Sequence, residues 1–203
     1  MKEFWDSRYG AQEYAYGTRP NVFFETELRK LTPGRLLLPA EGEGRNAVFA
    51  AELGWEVHAF DISDEGKNKA LRLAEERGVT ISYEVGSFED LEASHLSYDA
   101  IGLIFAHFPP PLLLSYHQRC CSLLNPEGTV ILEGFSKDHL EMQKIYPNVG
   151  GPQQADFLFS VEGIQQQFAA LHTVLIEETE TELDEGLYHR GRGKVVRFVG
   201  RAH

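Results

Sequence analysis

Residues 36–63, LLLPAEGEGRNAVFAAELGWEVHAFDIS, constrain the fold of this chain more than any other stretch. Leu36 to Leu38 make a short apolar strand that stops at a turn holding Gly42 and Gly44. Arg45 and Asn46 open a helix whose apolar positions Val48, Phe49 and Leu53 recur at helical spacing. Gly54 ends that helix as a C-terminal glycine does, and Val57 to Phe60 form a second strand that stops at Asp61. This is a βαβ unit suited to a nucleoside. Glycines without a Cβ let backbone N–H groups approach a ligand, and a helix N-terminus favours negative charge. Asp61 then stands where a ribose diol can donate to both carboxylate oxygens.

Two cofactor classes use this layout. Dinucleotide enzymes carry G-x-G-x-x-G, and here Ala47 takes the third glycine's place, which a G/A variant tolerates. The string Glu41-Gly42-Glu43-Gly44-Arg45-Asn46 resembles the first motif of class I S-adenosylmethionine-dependent methyltransferases. That resemblance implies a cofactor turn built from Ala40, Glu41, Gly42, Gly44, Arg45 and Asn46, with Asp61 and Ile62 at the ribose. The chain departs from the family pattern at Leu38 and Ala40, where an acidic residue and a first glycine are usual, and Glu41 is the nearest substitute for the acid.

Ser63 caps a helix running to Gly78, and TISYEV reads as a third strand. The resemblance implies that Ser87 meets the adenine amine and Phe88 covers its face; as a lone aromatic, Phe88 also reads as plain core. YDAIGLIFAHFPPP is a fourth strand, Asp99 to Ala106, opening into His107, Phe108 and three prolines that start a helix at Pro110 or Pro111. Ligands of open α/β sheets sit at the carboxyl ends of strands, so Phe105, Ala106 and His107 should face the cofactor. His107 reads either as a proton acceptor or as a loop histidine bonded to backbone. Asn125-Pro126-Glu127-Gly128 is a turn before a fifth strand. FSVEGIQQQFAALH is a short helix, and residues 172–202 read as two long strands. The expected fold is α/β: a Rossmann-like, seven-stranded, mostly parallel sheet with an antiparallel C-terminal strand and helices on both faces.

At 203 residues, with no linker-like stretch, the chain reads as one methyltransferase-like domain: residues 1–33 a lid, 34–203 a core, with a substrate wall around 137–160. The adjacent Cys120 and Cys121 read as buried thiols and give no zinc pattern, so no metal is expected. A net charge of −12 argues against nucleic-acid and anionic-membrane partners. No long apolar run or signal core appears, so the expectation is a cytoplasmic protein. Glu178, Glu180, Glu182 and Asp184 alternate along one strand face, read as a solvated face that discourages edge pairing. Nothing in the sequence sets an oligomeric state.

The covering parts bear on the acceptor. The pattern Trp5-x-x-Arg8-Tyr9, then Tyr14-x-Tyr16-Gly17-x-x-Pro20-Asn21, resembles small-molecule methyltransferases of the tellurite-resistance and thiopurine group. There the N-terminal segment folds over the cofactor, which implies Tyr16 and Gly17 near its methionine end, where aromatic faces suit a sulfonium. The same branch has a His-Arg pair near its substrate, matched by His189-Arg190, with Arg192 close by; a solvated basic turn is the other reading. The combined expectation is methyl transfer from S-adenosylmethionine to a small-molecule acceptor, a thiol or a chalcogen oxyanion, with His107, His189 and Arg190 as catalytic candidates. A nicotinamide-dependent reductase and a non-catalytic cofactor-binding protein are the alternatives.

Overall fold

The computed structural model describes residues 1–90 and 97–203. Seven strands form a single sheet: β1 (Arg35–Pro39), β2 (Glu56–Asp61), β3 (Ser82–Val85), β4 (Tyr98–Ile104), β5 (Leu124–Phe135), β6 (His172–Glu185) and β7 (His189–Arg201). Their order is β3-β2-β1-β4-β5-β7-β6. β1 through β5 pair in parallel, while β7 runs antiparallel to both β5 and β6. β7 is therefore the one reversed strand, and β6 forms a sheet edge.

Alternation along each strand feeds two helical layers. Leu36 and Leu38 join a core with Phe24 of α2 (Val22–Leu28), Phe49 of α3 (Arg45–Glu52) and Leu73 of α4 (Asp64–Arg77). Leu37, between them, faces Leu113 and Tyr116 of α5 (Pro110–Ser122) and Ile164 of α7 (Val161–Gln167). These leucines are wholly buried, and each such side chain contributes about 1.5–3 kcal/mol of transfer free energy. The helix α6 (His139–Ile145) lies in the segment between β5 and α7, and α1 (Lys2–Tyr9) is the N-terminal helix. Cys120 is buried in the α5-side core, and Cys121 is half-buried.

The local signals act as read. Ser63 Oγ accepts the Gly66 N–H and caps α4, which closes on Gly78 at φ +68°. Gly44 has φ +85°, and a Cβ there would lie 2.5 Å from the Ala70 Cβ, so α3 and α4 meet at its bare backbone. Two boundaries differ. The fourth strand ends at Ile104, because Phe105 turns into the left-handed region at φ +52°. Residues 125–128 lie within β5 as a bulge rather than before it: Tyr98 pairs with Leu124 and Ala100 with Thr129, and Glu127 has φ +64°.

Candidate active site

Ala40 and Phe105 directly follow the central strands, Ala40 one residue after Pro39 of β1 and Phe105 one after Ile104 of β4. Both are non-glycine residues at positive φ, +53° and +52°. Such strain marks functional turns, and it sits here at the carboxyl ends where the strand order reverses direction from β1. Ala40 thus takes the left-handed turn that a glycine would take without cost.

Beyond Ala40 the chain makes the glycine turn. Asp61, 6% exposed, accepts the Gly42 N–H on Oδ2 at 3.1 Å and the Ser63 N–H on Oδ1 at 3.0 Å. Burial, only partly offset by these amides, pushes its carboxyl up to about 6. Tyr83 donates to the Gly42 carbonyl at 2.6 Å and fixes the turn from below. Glu41 Oε1 accepts the N–H groups of Asn46 and Ala47, both at 2.8 Å, and burial raises it to about 7. Glu41 therefore caps α3, and its carboxylate is committed there rather than to a cofactor ammonium.

Two distant pieces of chain close over this turn. The Glu43 carboxylate, between the two glycines, accepts the Ala15 N–H at 3.1 Å and the Lys69 ammonium at 2.8 Å. The Glu43 and Lys69 side chains are 3% and 6% exposed, so the N-terminal segment is tied down by a buried ion pair. At the other end, Leu187 in the β6–β7 turn donates its N–H to the Ala15 carbonyl at 2.8 Å. Tyr16 packs on His189 with ring centroids 4.5 Å apart, and Phe105 approaches the same imidazole at 4.6 Å. Tyr9, Tyr16, Gly17, Glu41, Gly42, Glu43 and Arg45 enclose only about 30 Å³, room for a water or two. Over Asp61, α1 docks through Lys2, which donates to the Ile62 carbonyl at 3.1 Å, and Asp6, which accepts from Ser63 Oγ at 2.6 Å.

Arg45 reaches out of the motif to Glu185 at 2.9 Å, and Asn46 Oδ1 accepts the Asn21 N–H at 2.9 Å. Both motif residues hold covering segments. His189 is buried and donates Nδ1–H to Glu185 at 2.9 Å. Burial alone would raise Glu185, but Arg45 and His189 outweigh it and hold the carboxyl down at about 2.

Several expected site residues lie elsewhere. Phe88 is wholly buried among Phe60, Phe108 and Tyr116, with no ring face left for an adenine. The Ser87 hydroxyl lies 2.9 Å from Asp90 and 2.7 Å from Glu89 and shares its one proton between these carboxylates in a local turn. His107 donates Nδ1–H to the Phe157 carbonyl at 2.7 Å, and its Nε2 accepts the Phe135 N–H at 3.1 Å. Burial lowers it to about 4, and with both nitrogens bonded to backbone it is a structural residue, not a proton acceptor. Arg190 is exposed and its Nε donates to the Gly186 carbonyl at 2.7 Å. It alternates with His189 along β7 and faces the other side of the sheet, opposite Asp184, as Arg192 stands opposite Glu182 and Lys194 opposite Glu180. The basic turn residues thus complement the acidic face of β6, and the expected His-Arg pair is split.

Other residues of the site escape sequence reading. Asn21 caps α2, accepting the Phe24 N–H, and its Nδ2 donates to Glu133 at 2.7 Å and to Glu185 at 3.0 Å. Glu133, 1% exposed, also binds Arg197 at 2.6 Å. A lone carboxylate inside the apolar run TVILEGF was the available signal, since such a group is buried only with partners.

A sheet in which β7 alone is reversed, with a glycine turn after β1 and an acid closing β2, defines a nucleoside-binding α/β domain. Comparison with known proteins sharpens that class. A methyltransferase-domain family matches residues 39–128. A ubiquinone biosynthesis O-methyltransferase from Xanthomonas campestris pv. campestris is 32% identical over 138 residues, 66% of this chain and 56% of that relative. The chain spans just over half the length of the curated relatives it matches. Among solved structures, one described for conversion of a disulfide bond into a thioacetal group during echinomycin biosynthesis has a TM-score of 0.81 at 19% identity, covering 100% of this chain and 91% of the other. TehB from Haemophilus influenzae has a TM-score of 0.72 at 16% identity, covering 100% of this chain and 67% of the other. At these identities the structures share the fold. Residues 39–128 thus match a methyltransferase-domain family, and these likenesses together support a class I S-adenosylmethionine-dependent methyltransferase.

The cofactor is accordingly S-adenosylmethionine, and the residues present fit it. Each Asp61 oxygen accepts one side-turn amide, which leaves lone pairs for the two hydroxyls of a ribose. The rings of Tyr9 and Tyr16 beside the glycine turn offer faces to a cation.

Proposed function

We propose that this protein transfers the methyl group of S-adenosylmethionine to a small acceptor whose sulfur or oxygen nucleophile carries a removable proton. When bound, the cofactor supplies a methyl group activated by a sulfonium. Asp61 and the glycine turn hold the nucleoside, and residues 1–33 act as a lid that lifts to admit it. The observation that carries this reading is His189, hydrogen-bonded through Nδ1 to Glu185 and walled by Tyr16, Phe105 and Phe135. An aromatic, largely uncharged wall with one imidazole suits a thiol or phenol, which needs only deprotonation and alignment. A chalcogen oxyanion is less well served, because Arg45 is paired with Glu185 and Arg190 with the turn carbonyl. The likenesses to a ubiquinone biosynthesis O-methyltransferase and to a protein of disulfide-to-thioacetal conversion agree with oxygen or sulfur chemistry.

The test is incubation of the purified protein with methyl-labelled S-adenosylmethionine and a panel of thiols, phenols, amines and tellurite. Label on thiols or phenols is the expected outcome. Transfer confined to amines or tellurite would refute the acceptor class, and selective binding of NADH or NADPH would refute methyl transfer itself.

A further inference from the structure

The closing pair of the β6–β7 hairpin is Glu185 opposite His189. Glu185 is gripped on both oxygens: Oε2 accepts from His189 Nδ1 and Arg45 Nη2, each at 2.9 Å, and Oε1 accepts from Asn21 Nδ2 at 3.0 Å. The side chains of Arg45, Glu185 and His189 are 8%, 11% and 6% exposed, so water competes little for these bonds. A carboxylate accepts only, so the shared proton belongs to Nδ1, and the neutral imidazole carries its lone pair on Nε2. Nε2 has no hydrogen-bond partner among the described residues. Gly150 passes beside it so closely that a Cβ there would lie 3.2 Å from Nε2 and 2.7 Å from Cδ2.

We propose that Glu185 is a positioning residue: it fixes His189 in the tautomer whose Nε2 faces the acceptor and steadies the imidazolium formed when that nitrogen takes the acceptor's proton. This rests on the functional reading above. In the step, the acceptor's S–H or O–H bond breaks, its electron pair stays on sulfur or oxygen, and the proton bonds to Nε2. The proton later leaves to water, restoring the neutral ring. Glu185 favours the imidazolium from β6, while Arg45 on α3 and Arg8 on α1 oppose it, with Tyr16, His107 and His139 as the remaining titratable neighbours. Burial sets the net balance below the ordinary histidine value. Arg45 also keeps Glu185 ionised, so the bond to Nδ1 persists across the working pH range.

The experiment is nitrogen NMR of the histidine rings, run on the full chain, beside the pH profile of kcat/KM. The wild-type protein should show His189 with a protonated Nδ1 and a bare Nε2. In Glu185→Gln the His189 midpoint should fall by about one pH unit or more, and the acid limb of kcat/KM should move with it. A merely structural role would lower turnover at every pH and leave the midpoint in place. Since Glu185→Gln strips Arg45 of its partner, the double variant Glu185→Gln, Arg45→Gln tests the tautomer in a fold without that uncompensated charge. A protonated Nε2 in the wild type, or an unmoved midpoint in the variant, overturns the proposal. The expected tautomer and midpoint shift, with no transfer to any thiol or phenol, would overturn the functional reading and spare the assignment of Glu185 as the group that orients His189.

Discussion

Asp61 and Glu185 are both buried carboxylates at the same end of the sheet, yet they titrate on opposite sides of the ordinary range, at about 6 and about 2. The difference lies in their partners. Asp61 receives backbone amides and no cation, whereas Glu185 receives Arg45, His189 and Asn21. The motif half of the site therefore keeps an acceptor under-supplied with donors, a place for ligand hydroxyls. The covering half's carboxylate is fully supplied with donors, one of them Arg45 from the motif. One half is built to bind, the other to hold a side chain in place.

The largest effect expected is at the tie between the halves. Glu43→Ala leaves the Lys69 ammonium buried without its partner and should cost about 3–5 kcal/mol of stability, read by chemical denaturation. Glu43→Gln with Lys69→Met should recover most of it; no recovery would mean that the Ala15 and Tyr16 amides, not the ion pair, hold the segment. The next effect separates the carboxylates by pH. Ribose hydroxyls need the ionised form of Asp61, so affinity for S-adenosylhomocysteine should fall about tenfold per pH unit below about 6. Asp61→Asn should flatten that dependence at a lower overall affinity. The stability signs are also opposite. Asp61, raised, contributes stability below about pH 4 that is lost as pH rises through about 6. Glu185, lowered, contributes above about 4.5 and loses it as pH falls toward about 2.

A smaller effect is expected at Ala40. Glycine relieves the φ of +53° but adds freedom to the unfolded chain, so Ala40→Gly should gain about 0.5–1 kcal/mol, seen as a rise in Tm. A loss would mean that the methyl packs better than its backbone suffers. The smallest is Arg190→Ala, which should change stability by no more than about 0.5 kcal/mol and leave turnover within about twofold. A large drop in turnover would return Arg190 to the acceptor site.

The motif half was legible because its determinants are contiguous. A strand, two glycines, a capped helix and a terminal acid appear in order within residues 36–63, and each acts through neighbouring backbone. The covering half depends on pairing between residues far apart. Whether His189 or Arg190 faces inward is set by the register of β6 on β7, which no local pattern states. Glu43 reads as a turn residue until Lys69 and Ala15 are brought to it across the fold. Phe88 and His107, each open to a ligand-facing and a packed reading, take the packed one for a related reason. Their positions after strands are right, but whether a side chain there turns to the ligand or into the core depends on α5 and on the segment carrying Phe157 and Phe159.

The division of labour is tested most directly by calorimetric titration of S-adenosylhomocysteine into the wild type, Asp61→Ala and His189→Ala, with turnover measured on the same samples. The account predicts that Asp61→Ala loses about 1–3 kcal/mol of affinity, while His189→Ala binds like the wild type and loses turnover. Collapse of binding in His189→Ala with Asp61→Ala unaffected would contradict it, placing the cofactor against the hairpin and not over the glycine turn.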